Sequence, residues 1–223
     1  FTLIKIDLSG HGKSENNNAV NSMDFMAEKV KEVIEKLNLN KINILGHSMG
    51  GYVSLAFAEK FPESIESLTL FFSTTLADDE EKKQIRRRSI TVIDENFETF
   101  VNTSIPNLFS NNEKDILEGK IELAKKIAKS TNKEGVKAAQ LGMAERPDRT
   151  EILEKLEAKI LIIAGKYDNA VKTENLLKAL PDKTNIKTYV LDCGHCGHWE
   201  KPTICAEIIN TELLHNLPKK LVF

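Results

Sequence analysis

Two rhythms of apolar and polar residues alternate along this 223-residue chain. Phe1 to Asp7 is a β-rich run closed by Leu8-Ser9-Gly10-His11-Gly12, which predicts a strand and a Gly-rich turn. Met26, Val30, Val33, Ile34 and Leu37 then recur at helical spacing with Glu and Lys between them. Lys41 to Leu45 reads as a short apolar strand running into Gly46-His47-Ser48-Met49-Gly50-Gly51. A helix follows through Val53, Leu55, Ala56 and Phe57 and must stop before Pro62. Leu68 to Phe72 is a further buried strand. Such strand–helix–strand alternation predicts a parallel sheet with helices on both faces.

From about Ser73 to Arg149 the rhythm becomes purely helical, as in Ile116, Leu117, Ile121, Leu123 and Ile127, then Val136 to Met143. Charges crowd together here, in Asp78-Asp79-Glu80-Glu81-Lys82-Lys83 and Arg86-Arg87-Arg88, and are expected to be solvated helix faces. The alternation then resumes. Lys159 to Ala164 is a strand, Thr173 to Leu180 a helix and Ile186 to Leu191 a strand. Pro202 opens a last helix with Cys205, Ile208, Ile209 and Leu213 on one face. The chain thus divides into an α/β core over residues 1–72 and 150–223, interrupted by a helical insertion over 73–149.

Composition narrows the function. Apolar residues make up 41% and charged residues 29%, which suits one sizeable core and excludes disorder. A formal net charge of −2 offers no basic surface for nucleic acid or an anionic membrane, nor does it suggest a charged substrate. No apolar run approaches the roughly 20 residues of a bilayer span. Three cysteines cannot form a disulfide framework, so a reducing, cytoplasmic setting is expected. Nothing in the sequence specifies an oligomeric state.

The strongest chemical signal is Gly46-His47-Ser48-Met49-Gly50, a G-x-S-x-G between an apolar strand and a helix. A sharp strand-to-helix turn would lift the Ser48 hydroxyl clear of the backbone, with glycines leaving room for the chain to pass. The helix N-terminus would then aim its dipole and free N–H groups at the reacting centre, the Met49 amide first among them. Serine needs a base. Of five histidines, His215 reads as a surface residue, His47 as a packing residue and His11 as a turn residue. His195 and His198 remain, and His195 is preferred because it directly follows a sheet strand. Asp168, after the strand and turn ending Gly165-Lys166-Tyr167, is the best carboxylate to orient it; Asp78 or Asp79 is the weaker alternative. Cys193, His195, Cys196 and His198 mimic a metal knuckle, but no second ligand couple accompanies them, so neither metal nor cofactor is expected.

Four motifs together resemble the α/β-hydrolase fold superfamily. Asp7-Leu8-Ser9-Gly10-His11-Gly12-Lys13-Ser14 is similar to its D-x-x-G-x-G-x-S turn, and Gly46 to Gly51 to its nucleophile elbow. Gly165-Lys166-Tyr167-Asp168 resembles the acid turn, and Gly194-His195 with Glu200-Lys201-Pro202 the G-H-x(4)-E-x-P ending. The resemblance implies an α/β-hydrolase fold with a mostly parallel twisted sheet, and a cap, or lid, over 73–149. It also implies Ser48 as nucleophile, His195 as base and Asp168 as acid, in the family's chain order.

One departure stands out. The family carries an earlier strand ending in an H-G-type turn that supplies a second oxyanion donor, and nothing before Asp7 can be that turn. Such a donor is worth ~3 kcal/mol. By this resemblance the chain opens at what should be a middle strand, and further N-terminal residues carrying the first strands are expected ahead of it. The expected activity is hydrolysis of a small-molecule acyl substrate, a small or medium carboxylic ester. Carbon–carbon bond hydrolysis on the same triad, or a non-catalytic ligand receptor on the same fold, are the alternatives. In the insertion Phe97, Phe100, Leu108, Phe109 and Met143 are candidates to line an apolar acyl pocket, or else to form the insertion's own core.

Overall fold

The computed structural model describes residues 2–214, so His215 lies outside the described residues. The described sheet has four parallel strands in the order β1 (Ile42–His47), β2 (Ile65–Phe71), β3 (Lys159–Gly165) and β4 (Ile186–Leu191). Parallel neighbours need crossovers, and helices supply them: α2 (Met49–Lys60) joins β1 to β2, and α8 (Thr173–Ala179) joins β3 to β4. Helix α1 (Met23–Lys36) precedes β1, opened by Ser22, whose side chain accepts from the Phe25 amide.

Alternation along the strands sorts side chains between two layers. Leu68 and Leu70 of β2 and Ile160 and Ile162 of β3 join the main core, against Met26, Val30 and Ile34 of α1 and Leu55 and Ala56 of α2. The intervening Leu161 and Ile163 point to the other face, where Cys205 and Ile208 of α9 (Pro202–Ile209) cover them.

Between β2 and β3 the chain is helical: α3 (Glu80–Glu95), α4 (Phe97–Ser104), α5 (Lys114–Lys129), α6 (Lys133–Glu145) and α7 (Thr150–Lys155). The two ends of this excursion meet. Arg149 donates its backbone N–H to the Thr75 carbonyl at 2.9 Å, and the Thr75 and Thr150 hydroxyls lie 2.9 Å apart. The buried Arg149 guanidinium then reaches Glu59 of α2 and Asp24 of α1, each within 2.8 Å. Of the apolar positions read as one face of α5, Leu117 and Ile121 are buried, while Ile116, Leu123 and Ile127 are exposed.

Two expectations need correction. Thr2 to Leu8 is not a strand: a β-rich sequence becomes one only by joining a ladder, and no strand of the described sheet pairs with it. Ile6 and Leu8 still pack on the main core. The charges from Asp78 to Arg88 are not one solvated face either. Asp78, Lys82 and Arg86, spaced by four, turn inward, while Asp79, Glu80, Glu81, Arg87 and Arg88 are exposed.

The sheet core should dominate stability. Leu68→Ala, at a fully buried position of a central strand, should cost about 2–5 kcal/mol and lower the urea midpoint. Ile116→Ala, at a site 83% exposed, should change stability by less than about 0.5 kcal/mol. Equal midpoints for the two variants would contradict this division of the core.

Candidate active site

The site begins where β1 becomes α2. Ser48 takes φ 52° and ψ −118°, a left-handed conformation that costs a non-glycine residue about 1–3 kcal/mol. Neighbouring contacts hold it there. The Ser48 amide donates to the Phe71 carbonyl at 3.1 Å, and the Ser73 hydroxyl donates to the Ser48 carbonyl at 2.8 Å. A methyl on Gly46 would sit 2.2 Å from the Gly50 carbonyl oxygen, and one on Gly51 would sit 2.3 Å from Ser73 Oγ. The turn therefore closes only with glycine at both places. Gly50 differs: open space surrounds its Cα, and it borders the cavity.

His195 comes from the loop after β4. Its Nε2 lies 2.7 Å from Ser48 Oγ, and its Nδ1 lies 2.8 Å from Asp168 Oδ2. A carboxylate only accepts, so Nδ1 carries the proton and Nε2 is left to accept from the serine hydroxyl. The other carboxylate oxygen, Asp168 Oδ1, accepts from the Ala170 and Val171 amides at 2.8 Å each. Both side chains are almost wholly buried, at 3% and 1% exposure, so water does not compete for this pair. Asp78, the alternative acid, instead binds Arg86 and Arg146.

The loop that presents His195 is fixed from both sides. Buried Glu200 accepts the Gly194 amide with both oxygens, at 3.0 and 3.1 Å, and the Ser110 amide at 3.3 Å. His47 donates from Nε2 to the His195 carbonyl at 3.1 Å. A packing role had been expected for His47, and its position one residue before Ser48 gave no sign of this bond across 148 residues. His198 packs edge-on against His47, with ring centroids 4.6 Å apart. The cysteines are inert fillers. Burial pushes the Cys196 thiol up to about 12 and Cys205 to about 11, and raises Cys193 as well.

Ser48, Met49, Gly50 and His195 open on a cavity of about 1000 Å³. Phe97, Phe100, Leu108 and Met143 line it, as does His11. Phe109 does not. It is fully buried in a small cluster with Leu117, Ile121 and Cys196, edge-on to Trp199, so it packs helix α5 onto the His195 loop. A hydroxyl in line with an imidazole and a carboxylate, at a helix N-terminus beside a cavity, can attack an electrophilic carbonyl and stabilise the resulting oxyanion.

Residues 1–202 match the family model of the α/β-hydrolase fold, and the chain belongs to that family. It is 28% identical over 214 residues to the 2-hydroxy-6-oxononadienedioate/2-hydroxy-6-oxononatrienedioate hydrolase of Escherichia coli K12, covering 90% of this chain and 72% of the relative. A thermophilic esterase from Thermogutta terrifontis superposes with a TM-score of 0.84 at 32% identity, over 92% of this chain and 76% of that one. The enol-lactonase of Burkholderia xenovorans LB400 shares the fold at 19% identity, with a TM-score of 0.82 over 93% and 79% of the two chains. The protein is thus an α/β-fold hydrolase. Among its described residues no helix is long and apolar enough to cross a membrane.

The buried imidazoles make stability depend on pH. Burial, reinforced by the charge of neighbouring histidines, lowers His47 from 6.5 to about 3 and His198 from 6.5 to about 4. Below pH 6.5 the unfolded chain binds more protons at both positions than the folded chain does. Stability should be full above pH 6.5 and fall with pH, until His198 stops contributing near 4 and His47 near 3. Between about pH 6.5 and 5, where model carboxylates stay ionised, the urea midpoint should decline, and His198→Asn should flatten the decline. An unchanged midpoint across that window would contradict neutral burial.

Proposed function

We propose that this enzyme is a serine hydrolase that cleaves a small or medium carboxylic ester, with Ser48 as nucleophile, His195 as general base and Asp168 as its orienting acid. The observation that carries the reading is the unbroken line from Ser48 Oγ through His195 to Asp168, at 2.7 and 2.8 Å. His195 Nε2 takes the Ser48 proton as Oγ attacks the acyl carbonyl, and Asp168 stabilises the imidazolium. The Met49 N–H at the start of α2 holds the tetrahedral oxyanion. His195 then passes the proton to the leaving alcohol, which departs and leaves an acyl-serine. Water, deprotonated by the same nitrogen, attacks that ester, and collapse releases the acid and restores the serine.

The helices between β2 and β3 act as a cap in this scheme. Phe97, Phe100 and Met143 supply apolar wall against the acyl chain. The setting is a reducing cytoplasm, in which the buried thiols Cys193, Cys196 and Cys205 stay unpaired. Carbon–carbon bond hydrolysis on the same three residues is the second reading, and the likeness to the E. coli enzyme favours it.

The test is hydrolysis of p-nitrophenyl butyrate by the full chain. Ser48→Ala should lower kcat by about 10⁴–10⁶-fold without changing the urea midpoint. Turnover retained in a folded Ser48→Ala variant would sink the nucleophile assignment. Cleavage of a β-diketone substrate with no cleavage of the ester would select the second reading.

A further inference from the structure

The cavity beside Ser48 has a charged wall that net charge conceals. Asp78 reaches it from just before α3, Lys82 and Arg86 from the first turns of α3, and Arg146 from just beyond α6. Three cationic side chains thus share one buried carboxylate. Asp78 accepts from Arg86 Nε and, at 2.8 Å, from Arg146 Nη2, while Lys82 Nζ stands 3.9 Å away. Side-chain exposure is 1% for Asp78, 3% for Arg146 and 13% for Arg86, while Lys82, at 36%, is only partly buried.

The remaining donors find only neutral partners. Arg86 gives Nη1 to Gln140 Oε1 at 3.1 Å. Arg146 gives Nη1 to the Met143 carbonyl and Nη2 to the Leu76 carbonyl, stacks 3.9 Å over the Tyr52 ring, and leaves its buried Nε without a partner. Lys82 Nζ donates to the Ala170 carbonyl at 2.5 Å. Carbonyls and an amide satisfy hydrogen bonds but do not neutralise charge, and uncompensated buried charge is costly. That cost shows at Lys82, where burial pulls the ammonium below its ordinary range despite Asp78 and the more distant Asp168, with Arg86 and Arg146 adding to the effect. The other charged groups bordering the cavity, Asp7, Asp79, Glu81 and Lys172, are exposed and screened by solvent.

Position makes this surplus relevant to chemistry. Ala170, which receives the Lys82 ammonium, also gives its amide to Asp168 Oδ1. The cationic wall therefore adjoins the turn that holds the acid of the Ser48–His195–Asp168 line. Between them lies the cavity of about 1000 Å³, at the upper end of the ~300–1,000 Å³ usual for small-molecule sites.

We propose that Lys82, Arg86 and Arg146 form an anion subsite of this cavity, and that the substrate is an acyl compound bearing a free carboxylate, such as the monoester of a dicarboxylic acid. The proposal rests on the hydrolase reading above and deepens it. The ester carbonyl lies at Ser48 while the distant carboxylate supplies the negative charge that Asp78 alone does not. Apolar Phe97, Phe100 and Met143 face the methylenes between the two ends.

Monoethyl adipate and its terminal amide, ethyl 6-amino-6-oxohexanoate, share size and shape and differ in one charge. With the full chain, kcat/KM should favour the carboxylate on the order of tenfold or more, mainly through KM. Lys82→Gln and Arg86→Gln should each bring the ratio of the two values towards one. Calorimetric binding of both compounds to Ser48→Ala gives a readout that needs no turnover, and it should show the same preference and the same loss. Equal kcat/KM for the two esters in the unaltered enzyme, or a preference that survives both substitutions, would overturn the subsite. Tight monoethyl adipate binding without hydrolysis would instead overturn the ester-cleavage reading and leave the subsite standing.

Discussion

A single strained turn organises this protein. Ser48 is held at φ 52° because β1 must end and α2 must begin within one residue, and the surroundings permit no relaxed alternative. Gly46 lies against the Gly50 carbonyl, Gly51 lies against Ser73, and the Ser48 amide is bound to the end of β2. The about 1–3 kcal/mol stored there is small against the burial of the sheet. It sets the hydroxyl at the carboxyl end of a parallel strand, where the crossovers leave a crevice and where the loops after β3 and β4 also emerge. Asp168 and His195 sit on those loops, so the topology assembles three residues spread over 148 positions.

The supports around that turn reach well beyond it. Glu200 and His47 grip the backbone on either side of His195, one through the Gly194 amide and the other through the His195 carbonyl. Arg149 ties the base of the helical insertion to α1 and α2, while Asp78 ties α3 to the end of α6. The insertion is thereby anchored at both ends beside the cavity, with an apolar wall from α4 and a cationic wall from α3. The second places positive charge beside the cavity of a chain whose net charge is nearly neutral, which is the basis of the proposed anion subsite.

Local pattern carried the elements whose causes are local. The apolar runs of β1 to β4, the helical spacing of α1 and the G-x-S-x-G turn are all written in short windows, and each lies within a few residues of its expected place. Ser48, Asp168 and His195, which the fold brings into one line, were legible as candidates because each closely follows a recognisable strand. What failed depends on partners far along the chain. Thr2 to Leu8 has strand composition but no ladder in the described sheet. Phe109, unlike Phe100 of α4, lies in an extended turn after Leu108, and it faces Leu117 and Ile121 because of how α5 folds back on the His195 loop. The inward face of Asp78, Lys82 and Arg86 did have a signal, their spacing of four, but it was hidden in a run of charges that otherwise point to solvent. His47 had none, because its partner is a backbone carbonyl 148 residues away.

The central claim is that Ser48 is an activated nucleophile, and a fluorophosphonate probe addresses it without any assumption about substrate. Phosphonylation requires a serine oxygen whose proton is taken by a base, so intact mass of the full chain reads activation directly. The account expects one adduct per chain, mapped to the peptide containing Ser48, with labelling slowed severely in His195→Ala. A folded protein that stays unlabelled, or that labels elsewhere than at Ser48, would contradict it.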